Sequence, residues 1–124
     1  MKAYLINPKE NTISQVETTG GLADMYRLLD CSTVDVVRDA IPGHDLWIDD
    51  EGLLFEDEAP HGLFHSRLTG QMLAGLALVL SNNGEGDCAP ATCSADDVAK
   101  YVNSIVDINH EEHAIYLSQF NIAA

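Results

Sequence analysis

The first part of the chain alternates between strand-like and helical patterns of apolar residues. Residues 2–6 and 12–17 are rich in β-forming types, and Pro8 between them cannot donate to a sheet ladder. Apolar positions then recur at helical spacing over residues 22–29, after a pair of glycines, and residues 33–38 return to period two. This pattern predicts a hairpin, a short amphipathic helix and a further strand.

The stretch 45–58 is the most distinctive of the chain. Apolar residues flank Trp47, a polar turn ends at Gly52, and residues 53–55 are apolar again, which predicts a β-hairpin. It holds the chain's one tryptophan. The same stretch is densely acidic, with carboxylates at Asp49, Asp50, Glu51, Glu56, Asp57 and Glu58. One predicted element therefore supplies both an apolar anchor and the densest negative charge.

The second half is less regular. Residues 59–70 are interrupted by proline and glycine and predict a loop, whereas the apolar run 75–81 predicts a buried central strand. After a second loop, Ser94 is a good helix cap, and apolar spacing from Val98 predicts a helix past residue 105. A final helix is predicted over 110–120. The order of elements predicts an α+β fold: a mostly antiparallel sheet with one early helix and C-terminal helices.

The same patterns predict the buried core and the domain organisation. At 124 residues the chain is long enough for a single domain, residues 1–124, and too short for two. Its last part, 94–124, is expected to be a helical extension. The predicted core consists of Tyr4, Ile6, Leu28, Val34, Val36, Trp47, Leu76, Leu78, Leu80, Val98, Val102 and Ile105.

Composition and the first residues indicate a cytoplasmic location. The longest apolar run is too short to span a bilayer, and the first residues lack the apolar core and cleavage site of a signal peptide. Three cysteines, an odd number, argue against a disulfide framework and for a reducing compartment.

Net charge bears most directly on function. A formal charge of −14 repels phosphate backbones and anionic lipids, so direct binding to nucleic acid or membrane is not expected. The same field attracts basic protein surfaces, including grooves that hold nucleic acid. A competing interpretation is that the acidity only keeps the protein soluble.

Candidate catalytic or metal-binding groups do not form a complete signature. His110 and His113 would share one face of a helix, but no third ligand has suitable spacing, so no metal and no cofactor is expected. Cys88 and Cys93 are five positions apart, which is not the spacing of a zinc knuckle or redox pair. Cys31 is interpreted as a small core residue. No catalytic residue is assigned, and the chain is predicted not to be an enzyme.

Two motifs carry a resemblance to a known family. The opening residues Met1-Lys-Ala-Tyr-Leu-Ile-Asn-Pro8 and the middle stretch Asp45-Leu-Trp-Ile-Asp-Asp-Glu-Gly-Leu-Leu54 resemble an uncharacterised family of small acidic proteins found largely in phages, prophages and plasmids. The likeness covers about residues 1–86. That family has no established reaction, so the resemblance implies no catalytic residue.

The resemblance and the charge together favour one function over two others. Small acidic proteins of mobile elements often act on host machinery, so the favoured function is binding and inhibition or modulation of a host protein. The expected partner is a basic nucleic-acid-binding defence factor, such as a nuclease, restriction or CRISPR complex, held by the six carboxylates between Asp49 and Glu58. One alternative is a small-ligand or nucleotide-signal binder with Arg27, Arg38 or Arg67 in its pocket. The other is an enzyme with an unrecognised site.

Overall fold

The chain forms two β-sheets and two short helices within residues 1–51, 61–84, 87–109 and 111–123, which are the residues that this computed structural model describes. The helices are α1 (Leu22–Leu29) and α2 (Ala95–Tyr101). The strands are β1 (Lys2–Asn7), β2 (Thr12–Glu17), β3 (Val34–Ile41), β4 (His44–Asp49), β5 (Leu63–Ser66), β6 (Met72–Ala74), β7 (Ala77–Asn82), β8 (Cys88–Ala89), β9 (Val102–Asn109), β10 (Ala114–Ser118) and β11 (Asn121–Ile122).

The larger sheet is built around β7. Its strand order is β11-β2-β1-β7-β4-β3, and β8 pairs with the end of β7. Every pairing in it is antiparallel except that of β11 with β2, which is parallel. Both faces of β7 are covered: Leu78 and Leu80 lie in one core cluster and Val79 in another. Because β7 is buried on both faces, its sequence is a continuous apolar run rather than an alternation of apolar and polar residues.

The smaller sheet has the order β10-β9-β5-β6 and is antiparallel throughout. Phe64 of β5, Leu73 of β6 and Val102 of β9 pack in the same cluster as Val79 of β7. Val98 of α2 lies in that cluster too. The smaller sheet and α2 therefore cover one face of the larger sheet, while α1 covers the other through Met25 and Leu29.

Both helices have defined ends. Helix α1 ends at Asp30, whose φ of 51° places it in the left-handed region. Helix α2 begins with a reciprocal capping box: Ser94 Oγ accepts a hydrogen bond from the Asp97 amide, and Asp97 Oδ2 accepts one from the Ser94 amide. This confirms Ser94 as the cap. No helix in the described part of the chain is long and apolar enough to cross a membrane.

The predicted α+β class with C-terminal helices is wrong, because the protein is mostly β. Helix α2 ends at Tyr101, and the chain continues from Val102 as β9. Residues 114–118, predicted within a last helix, form β10. The expected helical extension over 94–124 is thus one short helix followed by three strands. The predicted loop over 59–70 also contains a strand, β5.

The predicted hairpin around Trp47 is wrong as well. Strand β4 pairs with β3 on one side and β7 on the other, so neither edge is free beside Leu46, Trp47 or Ile48. The hairpin partner of β4 is the preceding strand β3, and Gly43 in the turn between them has a φ of 75°. Residues 53–55, the predicted return strand, lie outside the described residues.

The predicted core is correct mainly where residues lie on central strands. Tyr4, Ile6, Leu76, Leu78, Leu80, Val98 and Val102 are buried. The others are half-buried: Leu28, Val34, Val36, Trp47 and Ile105. Strand β3, at the edge of the larger sheet, supplies two of these half-buried residues.

Candidate acidic interface and an adjacent basic cleft

Three consecutive carboxylates, Asp49, Asp50 and Glu51, lie at the end of β4, and Asp30 at the end of α1 acts with Asp49 on the same thiol, Cys31. We refer to these four residues as the acidic corner. Asp50 donates its amide to the Thr33 carbonyl at 3.2 Å, which holds the turn after β4 against the segment that follows α1. Asp49 Oδ1 accepts the Glu51 amide at 2.9 Å. Asp50 and Glu51 are exposed, and Asp49 is half-buried. The turn is therefore ordered by backbone contacts that leave two carboxylates facing solvent.

The electrostatic effect of this corner extends to Cys31. Burial raises the pKa of the Cys31 thiol, and the nearby charges of Asp49 and Asp30 raise it further. Helix α1 ends beside the corner at Asp30, and a helix C-terminus carries partial negative charge from its free carbonyl groups. The C-terminus of α1 and the carboxylates therefore both make the electrostatic potential at this corner more negative.

Little positive charge compensates the corner. His61 Nε2 lies 2.9 Å from Asp30 Oδ2, and a histidine is charged only when protonated. Among the described residues no lysine or arginine forms an ion pair with the four carboxylates. Of the six predicted partner-binding residues, Asp49, Asp50 and Glu51 are brought together here, and Glu56, Asp57 and Glu58 lie outside the described residues.

A buried polar group fixes the opposite end of β4. The His44 side chain is buried, and its Nε2 accepts hydrogen bonds from the amides of Thr92, at 3.0 Å, and Cys93, at 3.3 Å. An accepting Nε2 places the proton on Nδ1, which donates to the Pro42 carbonyl at 3.0 Å. His44 thus ties the β3–β4 turn to the segment before α2, a structural role that the sequence did not reveal.

The remaining histidines do not gather around a common centre. His113 lies in the turn between β9 and β10, so the predicted helical face shared with His110 is wrong; His110 itself lies outside the described residues. No cluster of three histidine, cysteine or acidic residues within the described ranges could hold a metal ion.

The three cysteines are free and half-buried. Cys88 Sγ donates to the Gly20 carbonyl at 3.4 Å. Burial, above all, raises the pKa of the Cys93 thiol. Thiols with a raised pKa are poor nucleophiles near neutral pH, so Cys31 and Cys93 do not have the environment of a catalytic cysteine.

A second feature, which sequence analysis missed, is a basic cleft beside α2. It has a volume of about 470 Å³ and brings together the end of α2, strand β9 and the segment leading into β11. Its lining consists of Arg67, Asp96, Ala99, Lys100, Asn103, Gln119, Phe120 and Ile122. A neighbouring cavity of about 400 Å³ shares Arg67 and Lys100. Because positions 67, 100 and 119 are far apart in sequence, no local sequence motif predicts the cleft.

The fold and these surfaces define a mostly β protein with two packed sheets, an exposed acidic corner and a small basic cleft. Residues 1–105 match the model of a family described as a domain of unknown function, DUF3846. The chain belongs to this family, and the match reaches past residue 86 into β9. No curated protein and no solved structure matches the chain.

Proposed function

We propose that this protein is a non-enzymatic binding protein that uses its acidic corner to occupy a basic surface on a bacterial host protein in the cytoplasm. The observation that carries the proposal is the grouping of Asp49, Asp50 and Glu51 at the end of β4 without a compensating lysine or arginine among the described residues. Glu56, Asp57 and Glu58 follow in the chain outside the described residues, and the proposal includes them among the partner-binding residues.

The partner class follows from the charge. A dense group of carboxylates at the end of a strand resembles the phosphates that a nucleic-acid-binding groove holds, and long-range attraction speeds such encounters. The proposed partner is a basic groove of a defence factor such as a nuclease, restriction or CRISPR complex. Occupying that groove would inhibit or modulate the factor by excluding its nucleic acid. Direct binding of this acidic chain to nucleic acid is opposed by its net charge of −14.

The experiment compares two variants of equal net charge. Asp50→Lys with Glu51→Lys reverses two exposed charges at the corner, and Glu10→Lys with Glu111→Lys reverses two exposed charges elsewhere. A partner is first captured from a bacterial lysate on the wild-type chain and purified. Association rates of all three chains are then measured at about 50 and 300 mM salt, which shorten the screening length to different extents.

The expected result is a loss of about tenfold or more in association rate for the corner variant, with a smaller loss for its matched control. Higher salt should slow the wild-type chain too. The captured partner should also lose nucleic-acid binding when the wild-type chain is added. If the association rate is the same at both salt concentrations and for all three chains, charge-driven competition at this corner is ruled out.

A further inference from the structure

The basic cleft beside α2, called the Arg67 cleft from here on, is an unexpected place for positive charge. The chain has only six lysines and arginines, and two of them, Arg67 and Lys100, line both of the adjacent cavities. In a protein of net charge −14 this is a local concentration of positive charge. Asp96 also lines the larger cavity, so the cleft presents two cations and one carboxylate.

Arg67 is the arginine that remains available to a ligand. Arg27 Nη2 lies 2.6 Å from Asp24 Oδ1, and Arg38 Nη1 lies 2.8 Å from Asp45 Oδ2. Arg67 forms no ion pair with a carboxylate in the part of the chain that the structure describes. The small-ligand alternative required one of these three arginines in a pocket, and Arg67 lines two adjacent cavities.

The guanidinium of Arg67 is already held in position. Its Nη1 donates to the Lys100 carbonyl at 2.7 Å, and its backbone amide donates to the Tyr101 carbonyl at 2.9 Å. These two bonds fix Arg67 at the junction of α2 and β9. The Nε–Nη2 edge makes no hydrogen bond to another described residue, and this edge has the fork geometry that matches the oxygens of a phosphate or carboxylate. A fixed donor loses little entropy when a ligand binds.

Lys100 can add a second positive contact. Its Nζ lies 3.5 Å from Asp97 Oδ1, and both side chains are largely exposed. Exposed ion pairs of this kind are weak, so the ammonium group can turn towards an anion at little cost. Arg67 supplies directional hydrogen bonds, and Lys100 supplies a mobile charge beside it.

The other wall of the cleft contains both apolar side chains and polar amide side chains. Phe120 is buried with its side chain lining the cavity, and Ile122 is 44% exposed beside it. Asn103 and Gln119, whose side chains end in amide groups, also line the cavity. Small-molecule sites commonly combine an apolar wall with a few polar groups in a volume of roughly 300–1,000 Å³. Gln119, Phe120 and Ile122 lie beyond residue 105, so the part of the chain matched to the family provides only one side of the cleft.

We propose that the Arg67 cleft is a binding site for a small phosphate monoester that carries a flat aromatic group. The phosphate would lie between Arg67 and Lys100, and the aromatic group would pack against Phe120 and Ile122. Asp96 at the edge can accept a hydrogen bond from an amino or hydroxyl group of the ligand, which favours a nucleotide over a simple aryl phosphate.

The test uses adenosine 5′-monophosphate as the probe and isotope-labelled full-length protein observed by NMR. Adenosine lacks the phosphate, and inorganic phosphate lacks the aromatic group, so each serves as a half-ligand. The variants are Arg67→Gln and Lys100→Gln, with Arg27→Gln as the control on an arginine outside the cleft. Lys100→Gln keeps the test informative if Arg67→Gln fails to fold.

The expected result is saturable shifts of the amides around residues 100–103 and 119–122 with the nucleotide. Adenosine should bind the wild type at least about tenfold more weakly than the nucleotide does, and the nucleotide should bind each cleft variant at least about tenfold more weakly than the wild type, because charge-assisted hydrogen bonds to the phosphate are lost. Inorganic phosphate should bind the wild type at least about tenfold more weakly because it lacks the aromatic group. Arg27→Gln should bind like the wild type. Absence of shifts at millimolar nucleotide would overturn the proposal, as would equal binding by Lys100→Gln or equal binding of inorganic phosphate.

Discussion

Asp45 Oδ2 accepts a hydrogen bond from Arg38 Nη1 at 2.8 Å across the β3–β4 hairpin, and the Asp45 side chain is only 2% exposed. Asp45 Oδ1 also accepts the Asp39 amide at 3.0 Å, and Asn82 Nδ2 lies within 3.4 Å of both carboxylate oxygens. The Arg38 guanidinium lies 6.0 Å from the centre of the Trp47 ring. One buried carboxylate thus joins β3, β4 and β7.

Replacing Arg38 by methionine should destabilise the fold by about 1–3 kcal/mol, because it leaves the buried Asp45 carboxylate with neutral donors alone. The matched control is Arg27→Met, since Arg27 is 66% exposed and its partner Asp24 keeps other donors. Urea unfolding at neutral pH measures both variants. If Arg38→Met and Arg27→Met lower the free energy of unfolding equally, burial of Asp45 does not strengthen its ion pair with Arg38.

Phe120→Ala should cost about 3–5 kcal/mol, because Phe120 is 5% exposed and packs in the core cluster that lies between the two sheets. Its control is Val106→Ala at a side chain that is 62% exposed, for which a change within about 0.5 kcal/mol is expected. Thermal unfolding of the two variants tests this. A Phe120→Ala protein as stable as the control would mean that residues after β10 do not support the core.

The stability of the region around α1 should depend on acid pH. The pKa of Asp24 is lowered from 3.8 to about 2, chiefly by a hydrogen bond from Thr18 and then by Arg27. A carboxylate with a lowered pKa in the folded state stabilises the protein above the unfolded value and loses that contribution as pH falls towards 2. Asp24→Asn should therefore be less stable than the wild type at pH 7.

The difference between the Asp24→Asn variant and the wild type should shrink as pH falls from about 4 to about 2. Urea titrations across that interval measure it. Asp39→Asn offers a comparison at an exposed aspartate on β3. A constant difference between Asp24→Asn and wild type down to pH 2 would contradict the lowered pKa.

Cys31 and Cys93 should be alkylated slowly at neutral pH, because burial raises the pKa of both thiols and reduces the thiolate fraction. Mass spectrometry after timed exposure to iodoacetamide measures each site. Denatured protein, in which all three cysteines are exposed, serves as the reference. Native rates equal to the denatured rates would mean that neither thiol is protected by the fold.

The sequence correctly predicted the strands and helix that are specified by apolar spacing and turn residues within a few positions. Strands β1 and β2 and helix α1 carry their periodicity and turn residues within a few positions, and β7 is a short apolar run with clear boundaries. These predictions were correct. Strand β9 was predicted as helix because Val102, Ile105 and Val106 continue the helical spacing that begins at Val98. The inward position two residues after Val102 is occupied by polar Ser104, which hides the strand pattern.

The remaining errors come from pairings between distant parts of the chain. The sequence predicted that β4 pairs with a strand just after Gly52, but that edge of β4 pairs with β7, whose residues lie 29 to 37 positions after their partners. Strand β5 is held by β9, which no local pattern around Phe64 could indicate. Asp49, Asp50 and Glu51 of the acidic corner could be named from the sequence because they are consecutive, whereas Asp30, at the end of α1, could not. The Arg67 cleft could not be predicted either, because its walls meet only after the sheets form.

The parallel pairing of β11 with β2 has a consequence for synthesis. Asn121 and Ile122 lie beside Thr12 and Ile13, so the edge of the larger sheet closes only when the ribosome has made the residues near the end of this chain. The β1–β2 hairpin must wait with that edge open until residues 121 and 122 have been made. Contacts between such distant positions also slow folding, because a long loop must close before they form. Chaperone capture of the nascent chain should therefore concentrate on this early hairpin.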